Sequence, residues 1–181
     1  SRDKIGEERA SFLYSLPVSY EFYLSGHLVR LFHASPFGLD YVFNPLYDNK
    51  DTIYADKQLE NPLQLFENTE FIGKTETDPI PDVVGYGHLH TPNLFRYQNK
   101  TIFNTGSVGI PIEMMNTDFL DKTNQFSTLA SYVILEGNLD SQDLAEISFT
   151  FVRVPYDIER EVESLRNSNL SNKEQIITNL R

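Results

Sequence analysis

The sequence contains no cysteine, and this absence excludes several kinds of chemistry. Without thiols there are no disulfide bonds, no thiolate metal ligands and no cysteine nucleophile. Basic side chains are also scarce: the chain has 15 lysines and arginines and 26 aspartates and glutamates, which gives a net charge of −11. Because so acidic a surface repels phosphate backbones, we expect no stable binding of nucleic acid.

Long apolar runs and an export signal are absent as well. No stretch approaches the ~20 apolar residues that a membrane-spanning helix needs. The first ten residues, SRDKIGEERA, lack the apolar core of a signal peptide. We therefore expect no membrane association and a cytoplasmic location. If such an acidic chain handles phosphates, a local positive charge must be present, and a metal ion is the obvious candidate.

The chain does contain enough apolar material for a folded domain. Its 181 residues are 40% hydrophobic and 13% aromatic, which suits a single domain over 1–181. Strand patterns grouped in hairpins, with helical patterns at both ends, predict an α+β layered fold rather than a Rossmann fold. The predicted strands cover 18–24, 27–33, 82–87, 94–97, 101–104, 129–135 and 147–154.

Helix signals mark four further regions. Residues 1–16 carry a tolerable apolar face, and Asp157 can cap a helix near the end of the chain. Ser171 and Glu174 have the spacing of a capping box for a last helix. Asn61 and Gln64 predict the start of a short helix in the middle of the chain.

Four histidines are the main candidates for chemistry: His27, His33, His88 and His90. In an extended segment His88 and His90 share a face, about 6–7 Å apart. This spacing suits ligands on two ions about 3.5–4 Å apart. It is equally compatible with two histidines that lie at the end of a strand and bind no metal. His33 ends a predicted strand, where a structural role is the simpler interpretation. His27, beside a hairpin turn, is interpreted as solvated surface.

Other catalytic motifs are not supported. The GYG at 85–87 is followed by histidine rather than by a third glycine, so no dinucleotide-binding loop is indicated. The GSVG at 106–109 lacks the G-x-S-x-G spacing of a serine hydrolase, and no Walker loop occurs. A metallo-β-lactamase motif would continue from HxH to Asp-His, whereas this chain continues Thr91-Pro92-Asn93.

The order of four segments resembles the calcineurin-like metallophosphoesterases. These segments are FHASP at 32–36, VVGYGHLH at 83–90, NTGSVGIP at 104–111 and VPYD at 154–157. The resemblance covers most of the chain. Within the family, the chain looks most like the branch of bacterial phosphodiesterases or diadenosine-polyphosphate hydrolases. It implies a metallophosphoesterase-type double β-sheet sandwich flanked by helices.

The resemblance also implies roles for individual residues. His33 and His88 would bind the second of two divalent metal ions, and His90 would bind the first. Asn104 and Ser107 would lie close behind the site, or would hold a tight turn. The ions would be manganese, iron, zinc or nickel, since histidine with carboxylate and amide oxygens suits all four.

The chain departs from the family at its start. The family's Asp-x-His, Gly-Asp and Gly-Asn motifs do not precede His33, and Asp-x-His and Gly-Asp occur nowhere in the chain. The one Gly-Asn pair, Gly137-Asn138, lies downstream of the GHLH segment, in the wrong order. We therefore expect the sequence to be the C-terminal two-thirds of a single, N-terminally incomplete metallophosphoesterase domain.

The function implied is hydrolysis of a phosphodiester or of a dinucleotide polyphosphate, such as diadenosine tetraphosphate, by attack of a metal-bridging water. The substrate would be a small phosphoester or nucleotide. A protein serine/threonine phosphatase and a non-catalytic scaffold of the same fold are the alternatives.

Side chains for substrate contact are harder to assign from the sequence. Phe37, Tyr41 and Phe43 could stack on a nucleobase, although packing of these rings onto the domain is the simpler interpretation. Arg30 and Arg96 are candidate phosphate contacts.

Overall fold

A computed structural model describes residues 5–43, 55–109, 112–113, 125–126 and 128–180. The helices and strands follow in this order: α1 (Glu7–Ser15), β1 (Ser19–Leu24), β2 (His27–Phe32), β3 (Val83–Tyr86), β4 (Asn93–Tyr97), β5 (Lys100–Asn104), β6 (Ile112–Glu113), β7 (Gln125–Phe126), β8 (Leu129–Glu136), β9 (Ser148–Pro155), α2 (Ile158–Arg166) and α3 (Lys173–Asn179). Three short 3-10 helices lie between β2 and β3, at Ala55–Lys57, Pro62–Phe66 and Glu70–Ile72.

The largest element is a five-stranded mixed sheet in the order β1-β2-β3-β5-β4. Its three central strands, β2, β3 and β5, run parallel, and the edge strands β1 and β4 pair antiparallel to their neighbours. The carboxyl ends of three parallel strands therefore meet at one edge of the sheet. Such an edge is a common position for a binding site in α/β sheets.

Both faces of this sheet are covered. On one face, side chains of β2, β3 and β5 pack against Leu59, Leu65 and Phe66 from the segment that carries the 3-10 helices. On the other face, a core of Leu24, Val29, Val83 and Phe103 is covered by four side chains from the β8–β9 hairpin region. These four are Val133, Leu135, Ile147 and Phe149. The hairpin thus forms a second sheet packed on the first, and the predicted α+β fold class is confirmed.

The β1–β2 turn joins the two sheets. Fully buried Ser25 accepts a hydrogen bond from the Asn138 backbone at 2.9 Å and donates one to the Glu146 carbonyl at 2.7 Å, both through Oγ. The next residue, Gly26, has a φ of 78° and donates its backbone N–H to the Ser141 carbonyl at 2.9 Å. The turn is therefore fixed by contacts more than 100 residues away in the sequence.

The two C-terminal helices pack on each other through a separate apolar cluster. Asp157 caps α2, because its side chain accepts a hydrogen bond from the Arg160 backbone at 3.0 Å, as predicted. The predicted capping box of Ser171 and Glu174 is wrong. Asn172 is the N-cap of α3 and makes no side-chain capping bond. The cluster consists of Val162, Leu165, Ile176, Ile177 and Leu180.

The short central helix begins as expected. Asn61 and Gln64 form a reciprocal capping box at the start of the 3-10 helix Pro62–Phe66. Among the described residues, no helix combines the length and apolar character needed to cross a bilayer.

Candidate metal centre

Three polar residues lie where the parallel strands end. His33 follows β2 directly, His88 follows β3 by two residues, and Asn104 is the last residue of β5. Because β3 lies between β2 and β5, these residues come together at one edge of the sheet although they are distant in the sequence. The backbone reinforces this arrangement, since the Gly87 N–H donates to the His33 carbonyl at 2.7 Å.

His33 and His88 are in direct contact. Nε2 of His33 lies 3.1 Å from Nδ1 of His88, and the two rings meet edge to face with centroids 5.1 Å apart. His33 is exposed and His88 is half-buried. One of the two nitrogens must carry the shared proton and the other must accept it.

The backbone at His88 has a rare conformation. Its φ is 63°, in the left-handed region, and the Leu89 N–H donates to the Gly87 carbonyl at 2.7 Å. A bond from residue i+2 to residue i with a positive φ between them is the strained form of the γ-turn. Leu89 also packs on the core cluster below, so the turn is anchored from beneath.

Burial lowers the pKa of His88 below its ordinary value, with further lowering from His33 and His90 and an opposing effect from Asp40. This lowering favours the neutral form of the ring. Neutral imidazole is the form that binds a metal ion, since a protonated ring has no lone pair to offer.

His90 does not complete a three-residue cluster with the other two histidines. It is half-buried and close enough to affect the pKa of His88. Within the described ranges, however, no group of three or more His, Cys, Asp or Glu side chains is arranged to hold an ion. The structure thus brings together two of the three predicted ligands.

Asn104 is fully buried and makes bonds on both sides. Its Nδ2 donates to the Gly87 carbonyl at 3.0 Å, and its Oδ1 accepts from the Gly106 N–H at 2.8 Å. Ser107 contributes through its main chain, since its carbonyl accepts from the Ser131 N–H at 2.9 Å. Asn104 therefore supports the histidine loop, and Ser107 ties that region to β8.

Arg30 cannot contact phosphate, and that prediction is wrong. Its side chain is fully buried, with Nε bonded to Glu21 at 2.6 Å and a terminal nitrogen bonded to Asn68 Oδ1 at 2.6 Å. Lys74 forms an ion pair with the other oxygen of Glu21. Arg96 is exposed on edge strand β4, so a phosphate contact by Arg96 stays a prediction.

The aromatic loop after His33 is largely packed. Phe37 and Phe43 lie against the core cluster, whereas Tyr41 is exposed. This favours the packing interpretation for two of the three rings. The remaining aromatic residue of this stretch, Tyr47, lies outside the described residues.

Sequence reasoning missed Asn93 and Asp40. Asn93 donates from Nδ2 to the Thr91 carbonyl at 3.1 Å, at the far end of the loop that carries both histidines. Asp40 is bonded to Lys57 and lies within electrostatic range of His88. The only available signal was the position of Asn93 just after the GHLH segment.

Comparison with known proteins gives a fold and no family. No protein-family model matches the chain, and no curated protein matches it. Among solved structures, a hypothetical protein, PH1004 from Pyrococcus horikoshii OT3, matches with a TM-score of 0.57 at 14% identity. That match covers 98% of this chain and 55% of PH1004, so this chain spans about half the length of that protein.

A second solved structure, Vps29 from Chaetomium thermophilum, has a TM-score of 0.37 at 14% identity. It covers 79% of this chain and 64% of Vps29. At such low identities the PH1004 match shows a shared fold alone, and the Vps29 match is too distant to support any inference.

Proposed function

We propose that this chain carries metal ligands of a metallophosphoesterase, a metal-dependent hydrolase of phosphodiesters or dinucleotide polyphosphates. One observation supports the proposal above all others: His33 Nε2 and His88 Nδ1 lie 3.1 Å apart at the carboxyl ends of adjacent parallel strands. The two packed sheets are consistent with the sandwich that the sequence resemblance implies.

The separation of the two nitrogens fits a shared ion. Imidazole nitrogens bind zinc at about 2.0–2.1 Å, and tetrahedral coordination places two of them about 3.3 Å apart around one ion. The observed distance of 3.1 Å is close to this value, so an ion that replaced the shared proton would need the two nitrogens to separate only slightly. The lowered pKa of His88 favours the same outcome, because metal binding needs the neutral ring.

His33 and His88 would hold one ion, and His90 would belong to a second. Divalent ions bound here would polarise a phosphoryl oxygen and lower the pKa of a coordinated water. The chain itself contributes the orientation of the ligands. Leu89, between His88 and His90 in the sequence, packs onto the core. Asn104 donates a hydrogen bond to the carbonyl of Gly87, the residue before His88.

Metal binding by the 181-residue chain is the first test. Calorimetric titration with Zn²⁺ and with Mn²⁺ should show binding that His33→Ala and His88→Ala weaken more than about 100-fold, beyond the 10–100-fold typical of outer-shell losses. His27→Ala is the matched control, because His27 lies at the opposite end of the same strand, paired with Leu24. Binding that survives His88→Ala unchanged would contradict the proposal.

Activity assays then separate the substrate classes. With added Mn²⁺, we expect hydrolysis of bis-p-nitrophenyl phosphate and of diadenosine tetraphosphate. Turnover of the diester alone would exclude the dinucleotide substrate, and turnover of a phosphoserine peptide would favour a protein phosphatase. Tight metal binding with no turnover of any of them would indicate a non-catalytic scaffold.

A further inference from the structure

The loop that carries His88 and His90 is held at both ends by asparagine side chains. Asn104 Nδ2 donates to the Gly87 carbonyl at 3.0 Å, just before His88. Asn93 Nδ2 donates to the Thr91 carbonyl at 3.1 Å, just after His90. The loop 87–91 is therefore bracketed by two amide groups that belong to the sheet below it.

The two asparagines are neighbours in the sheet. Asn93 of β4 lies directly opposite Asn104 of β5, and Asn104 lies opposite Tyr86 of β3. The buried Tyr86 hydroxyl lies 3.4 Å from Asn93 Nδ2. Tyr86, Asn104 and Asn93 thus form one polar row across three strands, beneath the loop.

This row acts on the strained residue of the site. The Gly87 carbonyl accepts hydrogen bonds from both the Leu89 N–H and Asn104 Nδ2, and the Gly87 N–H donates to the His33 carbonyl. The two bonds hold the peptide groups on either side of Gly87, one through the Gly87 N–H and the next through the Gly87 carbonyl, so the peptide that precedes His88 is not free to rotate and relieve the positive φ of His88. Strained conformations persist only where the surrounding structure over-determines them.

We propose that Tyr86, Asn93 and Asn104 form a positioning row that fixes the backbone of loop 87–91 and thereby the distance between His33 and His88. The consequence for metal affinity rests on the proposed function. The effect on the His33–His88 contact does not, because that contact joins two side chains of the chain directly.

The test uses Asn104→Ala and Asn93→Ala, with Asn68→Ala as the matched control. Asn68 makes two side-chain bonds of comparable length, 2.6 Å from Arg30 and 2.7 Å to the Asp78 carbonyl, but it supports a different segment. Asn93 is half-buried at the edge of the sheet, so Asn93→Ala still tests the inference if Asn104→Ala does not fold.

Two readouts are needed. Titration with Zn²⁺ should show binding at least about 10-fold weaker for Asn104→Ala and Asn93→Ala, the effect typical of groups that orient a metal ligand. Nitrogen NMR of the metal-free protein should show altered His33 and His88 ring signals in the same two variants. Asn68→Ala should lower the free energy of unfolding while leaving zinc affinity and both ring signals unchanged.

Two results would overturn the inference: unmoved ring signals in Asn104→Ala and Asn93→Ala, or equal loss of zinc affinity in Asn68→Ala. If the parent chain binds neither Zn²⁺ nor Mn²⁺, the proposed function fails. The ring signals then decide the positioning role alone, since they need no metal.

Discussion

Replacing His88 by glycine and by alanine separates the cost of its backbone conformation from the contribution of its ring. At a φ of 63°, a residue with a Cβ pays about 1–2 kcal/mol that glycine does not. Both substitutions remove the imidazole and its contact with His33. We therefore expect His88→Gly to be about 1 kcal/mol more stable than His88→Ala. For a chain of this size that difference corresponds to roughly 2–4 °C in Tm.

Urea unfolding with linear extrapolation measures the difference, provided that the two variants share one m value. Leu89→Gly and Leu89→Ala are the control pair, because Leu89 has no positive φ. At that position alanine should be the more stable by about 0.5–1 kcal/mol. If His88→Ala equals or exceeds His88→Gly in stability, the positive φ is not held in solution and the argument for a strained ligand fails.

Two further predictions concern the framework around the site. Arg30→Met should lower the free energy of unfolding by about 2–4 kcal/mol, because Asn68 Oδ1 loses its partner while Glu21 keeps Lys74. Zinc affinity should be unchanged in that variant. A loss of zinc affinity together with the loss of stability would show that Arg30 does contribute to the metal site. Gly26→Ala should cost roughly 2 kcal/mol or more by thermal unfolding, since a Cβ at its φ of 78° would lie 2.8 Å from a backbone nitrogen. Gly73→Ala, with a φ of 71° and open space around it, should cost only about 1 kcal/mol, and equal losses would show that the backbone contact does not matter.

Seven of the nine strands in the described part of the chain could be predicted because their signals are local, whereas the two-residue strands β6 and β7 were not predicted. Alternation and turn residues lie within each hairpin, and β1, β2, β4 and β5 match the predicted ranges closely. The position of Arg30 could not be predicted in this way, because alternation does not show which face is buried. Of the side chains that bond to buried Arg30, Glu21 lies on the neighbouring strand, but Asn68 is 38 residues further along the chain. At α3 the predicted capping box is wrong because the helix begins one residue later than Ser171 would place it, with Asn172 at the N-cap position.

Only part of the candidate site could be predicted from the sequence, for a related reason. The spacing of His88 and His90 is local, but His33 meets His88 only because β2 and β3 are parallel neighbours, a fact of topology. The resemblance to metallophosphoesterases placed these histidines in one site, whereas periodicity and spacing alone did not. The γ-turn at His88 has no sequence signature at all, since glycine or asparagine is the residue expected at a positive φ.

The strain at His88 and the polar row beneath it account for each other. A histidine in a left-handed conformation would relax if its neighbouring peptide were free to turn. Here the two peptide groups that flank Gly87 are both held, the first by the bond from the Gly87 N–H to the His33 carbonyl and the second by the bond from Asn104 to the Gly87 carbonyl, so the strained conformation is the one compatible with all three strands. The same bonds that impose the strain bring the His88 ring to within 3.1 Å of the His33 ring. Stability is therefore lost at the position where the approach of two imidazoles requires it.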